Sequence, residues 1–319
     1  MKAVYASTVN HADPLAALAV GEQPEPQARP FWSTVSVRAV TVNHHDVWSL
    51  QGVGLAAEQT PMILGTDAVG ILDEDIPGKH GLKAGSEVVL YTFVGTDGAG
   101  VVPGERRTIL SEKYPGTMAE KTSVPSANVF AKPASLTTAE AAALGTSWLT
   151  AYSLLFDAAG IKPGDSVLIQ GAGGGVSTAA IQLAHAAGLE VFVTSRDADK
   201  RSKALKLGAN AALEIGARLP RKVDAVIESV GAATWSHSMK SVRPGGTIAI
   251  CGATTGDQPG AELTRLFFQD IRVQGCTMGS REDFARCCAS WSTPICIRRS
   301  TPWSAAGRRA RGLRQDDCR

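Results

Sequence analysis

The sequence predicts an α/β protein in which a β-rich domain precedes a doubly wound parallel sheet. A chain of 319 residues with 44% hydrophobic content is long enough to build two hydrophobic cores. From residue 165 onward, short apolar runs alternate with helical patterns, as in parallel sheets with crossover helices. A glycine-rich turn joins the first of these runs to a helix, which is typical of sheets that bind phosphate groups.

The glycine turn lies within residues 165–188. Val167–Ile169 form a short apolar run, Gly171–Gly175 supply a backbone with little side-chain bulk, and an apolar helical face follows that ends at Gly188. Backbone N–H groups at such a helix start approach a pyrophosphate closely, and the helix dipole favours its negative charge. The segment therefore predicts a strand, a phosphate-binding turn and a helix.

The turn departs from the strict dinucleotide fingerprint. A G-x-G-x-x-G pattern aligned on this helix requires glycine at Ala172 and Ser177, and only its middle glycine, Gly174, is present. A glycine-rich surface turn is therefore the alternative. The following pattern favours the phosphate site, because it continues with predicted strands at Glu190–Ser195, Val223–Glu228 and Thr247–Cys251 and a predicted helix at Lys200–Leu207.

The end of the second predicted strand indicates which dinucleotide binds. An NAD site usually has Asp or Glu there to hold the ribose 2′-hydroxyl, whereas an NADP site has neutral and cationic groups. Here Ser195 and Arg196 end the strand and Lys200 follows about one turn later, which predicts NADPH. The alternative is that both cations are solvated charges at a helix start. Asp197 lies beside the predicted phosphate, so it must turn outward or cap the helix.

The residues before this pattern predict a β-rich domain from Met1 to about Pro125. β-like runs occur at Ser33–Val42, Ala68–Leu72, Glu87–Phe93 and Lys121–Val124. A β-rich domain in front of a nucleotide-binding unit that begins only near residue 127 is an informative order of domains.

Several motifs together resemble the medium-chain dehydrogenase/reductase superfamily, specifically its zinc-independent quinone oxidoreductase-like branch. They are Val42–Asp46, Pro61–Gly70, Gly116–Glu120, Ala141–Tyr152, the glycine turn and Arg243–Gly246. The resemblance implies a GroES-like catalytic domain at residues 1–125, completed by about 266–285, and a Rossmann NADP-binding domain at 126–265. It also implies a homodimer, with the substrate cleft and the nicotinamide between the two domains.

The resemblance also bears on zinc. In zinc-dependent members the catalytic ligands occupy places that fall here on Asn43, Thr66-Asp67 and Thr146, which do not form the usual Cys/His shell. No cysteine precedes Cys251, so the structural zinc lobe of those relatives is not expected either. His44 and His45 are expected on a strand, where adjacent side chains point to opposite faces and cannot easily share one ion. We therefore predict no metal.

Without zinc, the chemistry that needs least polarisation of the substrate oxygen is favoured. Hydride from NADPH to a quinone, or to the β-carbon of an enone, leaves a delocalised oxyanion that a few hydrogen-bond donors can stabilise. The candidate donors are Asn43, Thr66 and Tyr91, and the candidates for proton supply are His44 and Asp46. Asp46 has the alternative role of a buried acid that fixes its loop.

The predicted cofactor contacts and the competing functions complete this interpretation. The predicted contacts are Thr146, Ala172, Gly173, Gly174, Gly175, Val176, Ser195, Arg196, Lys200, Val230, Gly252 and Ala253. The expected activity is NADPH-dependent reduction of a small quinone, enone or related carbonyl. The alternatives are a nucleotide-binding protein without turnover, crystallin-like or inactivated by an altered C-terminus, and a zinc-free alcohol dehydrogenase.

The composition changes abruptly after Ala285. Residues 286–319 hold eight arginines, four of the six cysteines, and only Asp316 and Asp317 as acids. Their formal charge is therefore +6, whereas the net charge of the whole chain is +2. The basic balance is thus a property of this segment and does not predict a nucleic-acid surface. We predict an irregular tail whose composition is that of a shifted reading frame. An arginine-rich RNA-binding arm is the alternative.

Localisation follows from the cysteines and the apolar runs. Cysteines are not spread in pairs through the body of the chain, which favours a reducing compartment. We see neither a charged-then-apolar leader nor 18 consecutive apolar residues. These observations predict a cytoplasmic protein that does not cross a membrane.

Overall fold

A computed structural model describes residues 1–79, 81–95 and 107–292. Two compact units are present, one formed by Met1–Thr146 with Phe284–Ser292, and the other containing Ser147–Asp283. The helix at Thr138–Ala142 packs on strands of the first unit, which explains why that unit extends past Pro125. The domain limits expected near residues 125 and 265 lie inside these units and stay predictions.

The first unit is built mainly from antiparallel strands. They are β1 (Lys2–Ala6), β2 (Leu18–Glu22), β3 (Trp32–Val40), β4 (Met62–Ile63), β5 (Ala68–Leu72), β6 (Glu87–Leu90), β7 (Phe93–Gly95), β8 (Arg107–Ile109), β9 (Lys121–Pro125) and β10 (Val129–Ala131). Their order is β10-β6-β5-β3-β9 in the main sheet, β2-β1-β4 in a second sheet, and β7-β8 as a pair. The core lies against the main sheet and contains Val35, Leu72, Val88 and Leu90. The expected β-rich domain is confirmed.

Two short helices belong to the first unit, α1 (His44–Leu50) and α2 (Thr138–Ala142). The expectation that His44 and His45 lie on a strand is wrong, because β3 ends at Val40 and a helix begins at His44. The Asp46 carboxylate accepts the Asn43 N–H at 2.8 Å, which satisfies a backbone donor at the helix start. The opposite-face argument against a shared metal ion therefore does not apply to this pair.

The second unit is a six-stranded parallel sheet with helices. Its elements are α3 (Leu149–Ser153), β11 (Ser166–Ile169), α4 (Gly175–Ala186), β12 (Glu190–Thr194), α5 (Ala198–Lys206), β13 (Ala211–Leu213), β14 (Val223–Glu228), α6 (Ala232–Ser241), β15 (Val242–Ile250), α7 (Leu263–Phe268) and β16 (Arg272–Gly275). π-Helical turns at Leu144–Trp148 and Leu154–Ala158 flank α3. The strand order β13-β12-β11-β14-β15-β16 confirms the doubly wound sheet. The strands are all parallel, but the chain adds them toward one edge from β11 to β13 and toward the other edge from β14 to β16, so the switch point lies between β11 and β14.

The last helix, α8 (Arg281–Ser292), corrects the predicted tail. Residues 286–292 continue this helix, whereas the composition predicted irregular structure after Ala285. Phe284 and Cys287 have no exposed surface and Cys288 is buried, since positions three and four apart lie on one face of a helix. The Phe284 ring packs against Phe130 at 5.1 Å between centroids. The rest of the predicted tail, residues 293–319, lies outside the described residues.

Candidate functional site

Five polar residues of the first unit form one hydrogen-bonded cluster, which we call the Asp67 cluster: Thr41, Asn43, Thr66, Asp67 and Thr146. The Asp67 carboxylate accepts the Thr41 hydroxyl at 2.7 Å and the Thr41 N–H at 3.1 Å through one oxygen. Its other oxygen accepts the Asn43 amide at 3.2 Å. The Thr66 and Thr146 hydroxyl oxygens are 2.9 Å apart. The ends of β3, the loop after β4 and the turn after α2 thus converge on one carboxylate.

Asp67 is buried, and no cationic side chain among residues 1–79, 81–95 and 107–292 forms an ion pair with it. Asp67 is 1% exposed, and this burial raises the pKa of its carboxyl from 3.8 to about 6. Hydrogen bonds from Thr41, Thr146 and Asn43 oppose the rise. The backbone around it leaves little room, since a Cβ on Gly145 would lie 2.8 Å from the Asp67 Cβ. Asp67 is therefore an ionisable group held firmly at the centre of the polar cluster.

In the second unit, the glycine turn has the conformation that its sequence indicates. Gly171 and Gly173 have φ values of +76° and +105°, which side chains rarely adopt, and α4 begins after Gly174. A Cβ on Gly173 would lie 2.6 Å from the Lys200 side chain, so the stem of that lysine lies over the turn. Ser177, in place of the fingerprint's last glycine, binds the Gly174 N–H at 3.1 Å. The predicted strand, turn and helix are confirmed.

The loop after β12 carries the predicted phosphate ligands. Arg196 is exposed and the Ser195 side chain is buried beneath it, where its hydroxyl oxygen accepts the Asp197 N–H at 3.2 Å. Asp197 caps α5 by accepting the N–H groups of Asp199 and Lys200 at 2.8 and 3.2 Å, so its capping alternative is confirmed. Arg201 donates to the Ser195 carbonyl at 2.7 Å and braces this loop. The carboxylate of Asp197, the acid next to the end of β12, is therefore engaged in hydrogen bonds to the N-terminus of α5.

The loops after β14 and β15 lie side by side. The buried Glu228 carboxylate accepts the N–H groups of Val230 and Gly231 at 2.8 and 3.1 Å, which fixes the first loop. Thr255 binds the Val230 carbonyl through both its N–H and its hydroxyl. A Cβ on Gly252 would lie 3.2 Å from the Ser229 carbonyl oxygen, so the second loop approaches the first closely. The predicted contacts Val230, Gly252 and Ala253 thus belong to one ordered pair of loops.

Comparisons with known proteins identify the family. The alcohol dehydrogenase GroES-like domain matches residues 29–134, and the zinc-binding dehydrogenase family matches residues 175–292. An NAD-dependent alcohol dehydrogenase of known structure is 32% identical, with a TM-score of 0.81, over 91% of this chain and 88% of that chain. This chain belongs to the medium-chain dehydrogenase/reductase superfamily. It therefore combines a GroES-like N-terminal domain with a Rossmann domain, and its family is one of oxidoreductases that use a nicotinamide cofactor.

Two further relatives of this medium-chain dehydrogenase/reductase are crotonyl-CoA carboxylase/reductases. That of Cereibacter sphaeroides is 28% identical over 86% of this chain and 75% of its own length. AntE, whose structure is in complex with NADP, is 25% identical with a TM-score of 0.77, over 90% of this chain and 84% of that chain. The chain spans about two thirds to three quarters of the length of the curated crotonyl-CoA reductases that it matches. Because AntE is in complex with NADP whereas the alcohol dehydrogenase is NAD-dependent, the cofactor preference must be argued from this chain's residues.

The Asp67 cluster does not fit the zinc of other superfamily members. Its donors are an amide, three hydroxyls and one carboxylate, whereas catalytic zinc is held by Cys, His and carboxylate ligands. Both carboxylate oxygens of Asp67 already accept hydrogen bonds within the cluster. Across residues 1–79, 81–95 and 107–292, no group of three His, Cys, Asp or Glu side chains could hold a metal ion. We derive no step through zinc.

The second unit does fit a nicotinamide dinucleotide. The positive φ angles at Gly171 and Gly173 and the exposed start of α4 leave backbone N–H groups available for a pyrophosphate. A side chain at Gly173 would displace Lys200, so glycine keeps the turn open. Gly173, Gly174, Gly175 and Val176 would hold the pyrophosphate, and Ser195, Arg196 and Lys200 the adenosine end. The bound group would supply hydride.

The structure separates the predicted catalytic residues of the first unit. Asn43 and Thr66 are brought together, with the Asn43 amide nitrogen 3.2 Å from the Thr66 hydroxyl. Tyr91 is instead fully buried, with its ring centroid 5.9 Å from those of Phe93 and Phe284, so it lies in the core rather than among the donors. Asp46 is 4% exposed and accepts the N–H groups of Asn43 and Gly65, which favours its structural alternative. His44 is exposed and packs edge-on against Trp48.

His45, the neighbour of His44, is a neutral side chain at physiological pH. Desolvation by burial lowers the pKa of its imidazole to about 4. Its Nε2 lies 3.4 Å from the Ser49 hydroxyl and 4.0 Å from a Glu112 carboxylate oxygen. His45 therefore serves as a packed polar residue of α1, while His44 faces solvent.

Sequence reasoning missed three residues that organise these sites: Asp67, Arg201 and Glu228. Asp67 was considered only as a replaced zinc ligand, although its position after Gly65-Thr66 put it beside a predicted donor. Glu228 ends a predicted strand, and a carboxylate at a strand end near a glycine is a usable signal for a fixed loop. Arg201 gives no sequence signal, since its carbonyl partner depends on how α5 packs.

Among the described helices, none is long and apolar enough to cross a membrane.

Proposed function

We propose that this protein is an NADPH-dependent, zinc-independent reductase that transfers hydride to a quinone, an enone or a related conjugated carbonyl compound. The observation that carries this proposal is the Asp67 cluster, whose residues Asn43, Thr66, Asp67 and Thr146 are the positions that the family resemblance equates with the metal ligands of zinc-dependent members. It offers amide and hydroxyl groups, with Asn43 and Thr146 half-exposed at its margin. Such groups bind and orient an oxygen atom, but they polarise it less than a metal ion does.

The nature of the acceptor follows from this weak polarisation. Hydride addition to an isolated ketone concentrates negative charge on one oxygen, which favours a Lewis acid. Addition to a conjugated system spreads that charge, so hydrogen bonds suffice to stabilise it. The names of the crotonyl-CoA reductase relatives, which describe a conjugated acyl compound, support this class of acceptor over an alcohol.

The preference for NADPH rests on the loop after β12. Arg196 offers two parallel N–H donors, the Ser195 hydroxyl remains free to donate, and Lys200 adds a point charge beside the glycine turn. Asp197 is committed to the N-terminus of α5 and does not replace the acidic ribose partner of NAD sites. The loop therefore presents cations to a 2′-phosphate.

Titration of the protein with NADPH and NADH tests this preference. Arg196→Ala should weaken NADPH binding about 10- to 100-fold, the loss expected for a charge-assisted hydrogen bond, and leave NADH binding nearly unchanged. Arg272→Ala is the matched control, because Arg272 is an exposed arginine on β16, at the opposite edge of the same sheet. Equal affinities of the wild-type protein for both cofactors, or an unchanged ratio in Arg196→Ala, would contradict the proposal.

A further inference from the structure

Gln170 is a buried amide in the middle of the parallel sheet of the second unit. It directly follows β11, which lies between β12 and β14, and it immediately precedes the glycine turn. Its side chain has no exposed surface, and its amide oxygen accepts the Thr194 hydroxyl at 2.5 Å. Its amide nitrogen lies 3.0 Å from the Ser238 hydroxyl and 2.9 Å from His237 Nδ1, both on α6. One side chain thus joins the end of β12 to a helix that packs on β14.

The Ser238 hydroxyl continues this connection to the loop after β14. It lies 2.6 Å from a carboxylate oxygen of Glu228, and an ionised carboxylate only accepts, so Ser238 donates its proton there. The same carboxylate fixes the loop by accepting the N–H groups of Val230 and Gly231. Ser238 and Thr194 have no exposed surface, and Glu228 is 1% exposed. A buried chain of hydrogen bonds therefore runs from the last residue of β12 to the loop after β14.

Two independent partners fix which way the Gln170 amide faces. The Ser238 proton is committed to the carboxylate, so the Ser238 oxygen accepts from the Gln170 amide nitrogen. His237 Nε2 lies 2.9 Å from the Ala217 carbonyl oxygen, which only accepts, so this nitrogen carries the proton of the neutral ring. Nδ1 of His237 is then the acceptor for the second amide proton of Gln170. Both amide protons are used on α6, and the amide oxygen is left for the hydroxyl at the end of β12.

Thr194 connects this chain to predicted cofactor ligands. It directly precedes Ser195 and Arg196, which the proposed function assigns to the 2′-phosphate of NADPH. We propose that Gln170 is a positioning residue for cofactor selection, which fixes the loop after β12 relative to the loop after β14 through Thr194 and Ser238. The cofactor part of this inference rests on the proposed function. Gln170 itself touches no ligand, because its side chain is fully enclosed.

The energetic reason is that each buried group of the chain depends on the next. The Thr194 carbonyl also accepts the Ala172 N–H at 2.8 Å, so the backbone already joins the end of β12 to the glycine turn. The side-chain bond between Thr194 and Gln170 adds a second tie, and a buried hydroxyl or amide left without its partner must shift to find another. Such a shift at Thr194 moves the next two residues, which carry the phosphate ligands.

The coupling is tested by the preference for NADPH, measured as the ratio of the NADH and NADPH dissociation constants. Gln170→Met keeps the length of the side chain but removes its hydrogen bonds, and Thr194→Val removes the hydroxyl. Each should lower the preference about 3- to 10-fold, because NADH lacks the 2′-phosphate, and the double variant should lower it no further. Gln182→Met is the matched control, since Gln182 is also fully buried in this unit but donates to the Thr178 carbonyl of its own helix.

Three results of these titrations would overturn the proposal. They are an unchanged preference in either single variant, additive losses in the double variant, and an equal loss in Gln182→Met. A general loss of stability would weaken the binding of both cofactors alike and would not change the ratio.

The direction of the hydrogen-bond chain is tested separately in the ligand-free wild type. Nitrogen-15 shifts of the His237 ring should show the proton on Nε2 and an accepting Nδ1. A proton on Nδ1 would overturn the assigned orientation of Gln170, and with it the proposal, whether or not Gln170→Met folds. A wild type that binds neither cofactor would contradict the proposed function and the selection role together, whereas the His237 ring would still decide the hydrogen-bond chain.

Discussion

Asp67 in the first unit and Asp224 in the second are two aspartates that the fold treats in opposite ways. Asp67 is buried and has no ion-pair partner within the part of the chain that the structure describes, and desolvation raises its pKa to about 6. Desolvation also acts on Asp224, but hydrogen bonds from Arg243 and Ser166 outweigh it and lower the pKa of Asp224 to about 2. Asp224 accepts the Arg243 Nε–H at 2.6 Å and the Ser166 hydroxyl at 2.7 Å.

The ionised Asp224 carboxylate therefore stabilises the second unit, whereas ionisation of Asp67 lowers the stability of the first unit. Asp224 ties β14 to the starts of β11 and β15, so its charge is compensated where it lies. Among the described residues, the Asp67 carboxylate accepts hydrogen bonds from the neutral donors Thr41, Asn43 and Thr146, and such an environment is unfavourable for its charge at neutral pH. Perturbed acids of this second kind cluster at functional sites, and this is why we assign a functional role to the Asp67 cluster.

The largest effect that sharpens this comparison is the pH dependence of stability around Asp67. Because its folded pKa is raised from 3.8 to about 6, the native state holds the extra proton, and this stabilisation is present below pH 4 and lost as pH rises through 6. Relative to Asp67→Asn, the wild type should lose about 2.4 kcal/mol of unfolding free energy between pH 4 and pH 7. Urea unfolding of both proteins across this range measures it. Parallel stability curves would show that Asp67 titrates normally.

The next largest effect on stability is expected from a substitution in the glycine turn of the second unit. Gly173→Ala forces a side chain into a φ of +105° and against the Lys200 stem, which should cost about 2 kcal/mol and weaken NADPH binding. Gly188→Ala is the matched control, since its φ is +75° but no atom lies within 4 Å of the added Cβ. Thermal melts and NADPH titration of both variants check this. Equal NADPH affinities in the two would mean that the turn does not approach the cofactor.

The smallest expected effect is the loss of the Asp224 charge. Asp224→Asn should destabilise the protein by about 1 kcal/mol at neutral pH, a value reduced for solvent screening because half of the Arg243 side chain is exposed. The folded pKa is depressed, so this stabilisation is present above pH 4 and disappears as pH falls toward 2. Chemical unfolding at pH 7 and pH 3 measures the difference between the two proteins. A variant as stable as the wild type at pH 7 would remove the contrast with Asp67.

The sequence predicted the second unit better than the details of the first. The largely buried strands β11, β12 and β14 appear as mainly apolar runs, and Gly171–Gly175 marks the turn after the first of them, so period and glycine content sufficed. Helix α1 was missed because Val42–Asp46 follows a long β-like run without a strong helix signal. The buried face of α8 was not predicted because two of its residues, Cys287 and Cys288, lie in a segment whose many arginines indicated an irregular tail.

The Asp67 cluster was only partly predictable for a different reason. Asn43, Thr66 and Thr146 were each selected, but their contacts join positions up to 80 residues apart, and the carboxylate that unites them was overlooked. Hydrogen-bond networks depend on the register of distant elements, which a single sequence does not specify. The burial of Tyr91 was unpredictable for the same reason, since only its packing with Phe93 and Phe284 reveals that it is enclosed.

Under the proposed function, the Asp67 cluster supports hydride transfer from NADPH to a conjugated carbonyl compound without zinc. The most direct test is the steady-state oxidation of NADPH by purified protein with a simple quinone, an enone and crotonyl-CoA, each measured before and after exhaustive chelation and metal analysis. We expect turnover with at least one of these acceptors, at a rate that chelation does not change, and with no stoichiometric zinc. A lack of turnover with all three, or activity that falls on chelation and returns with zinc, would contradict it.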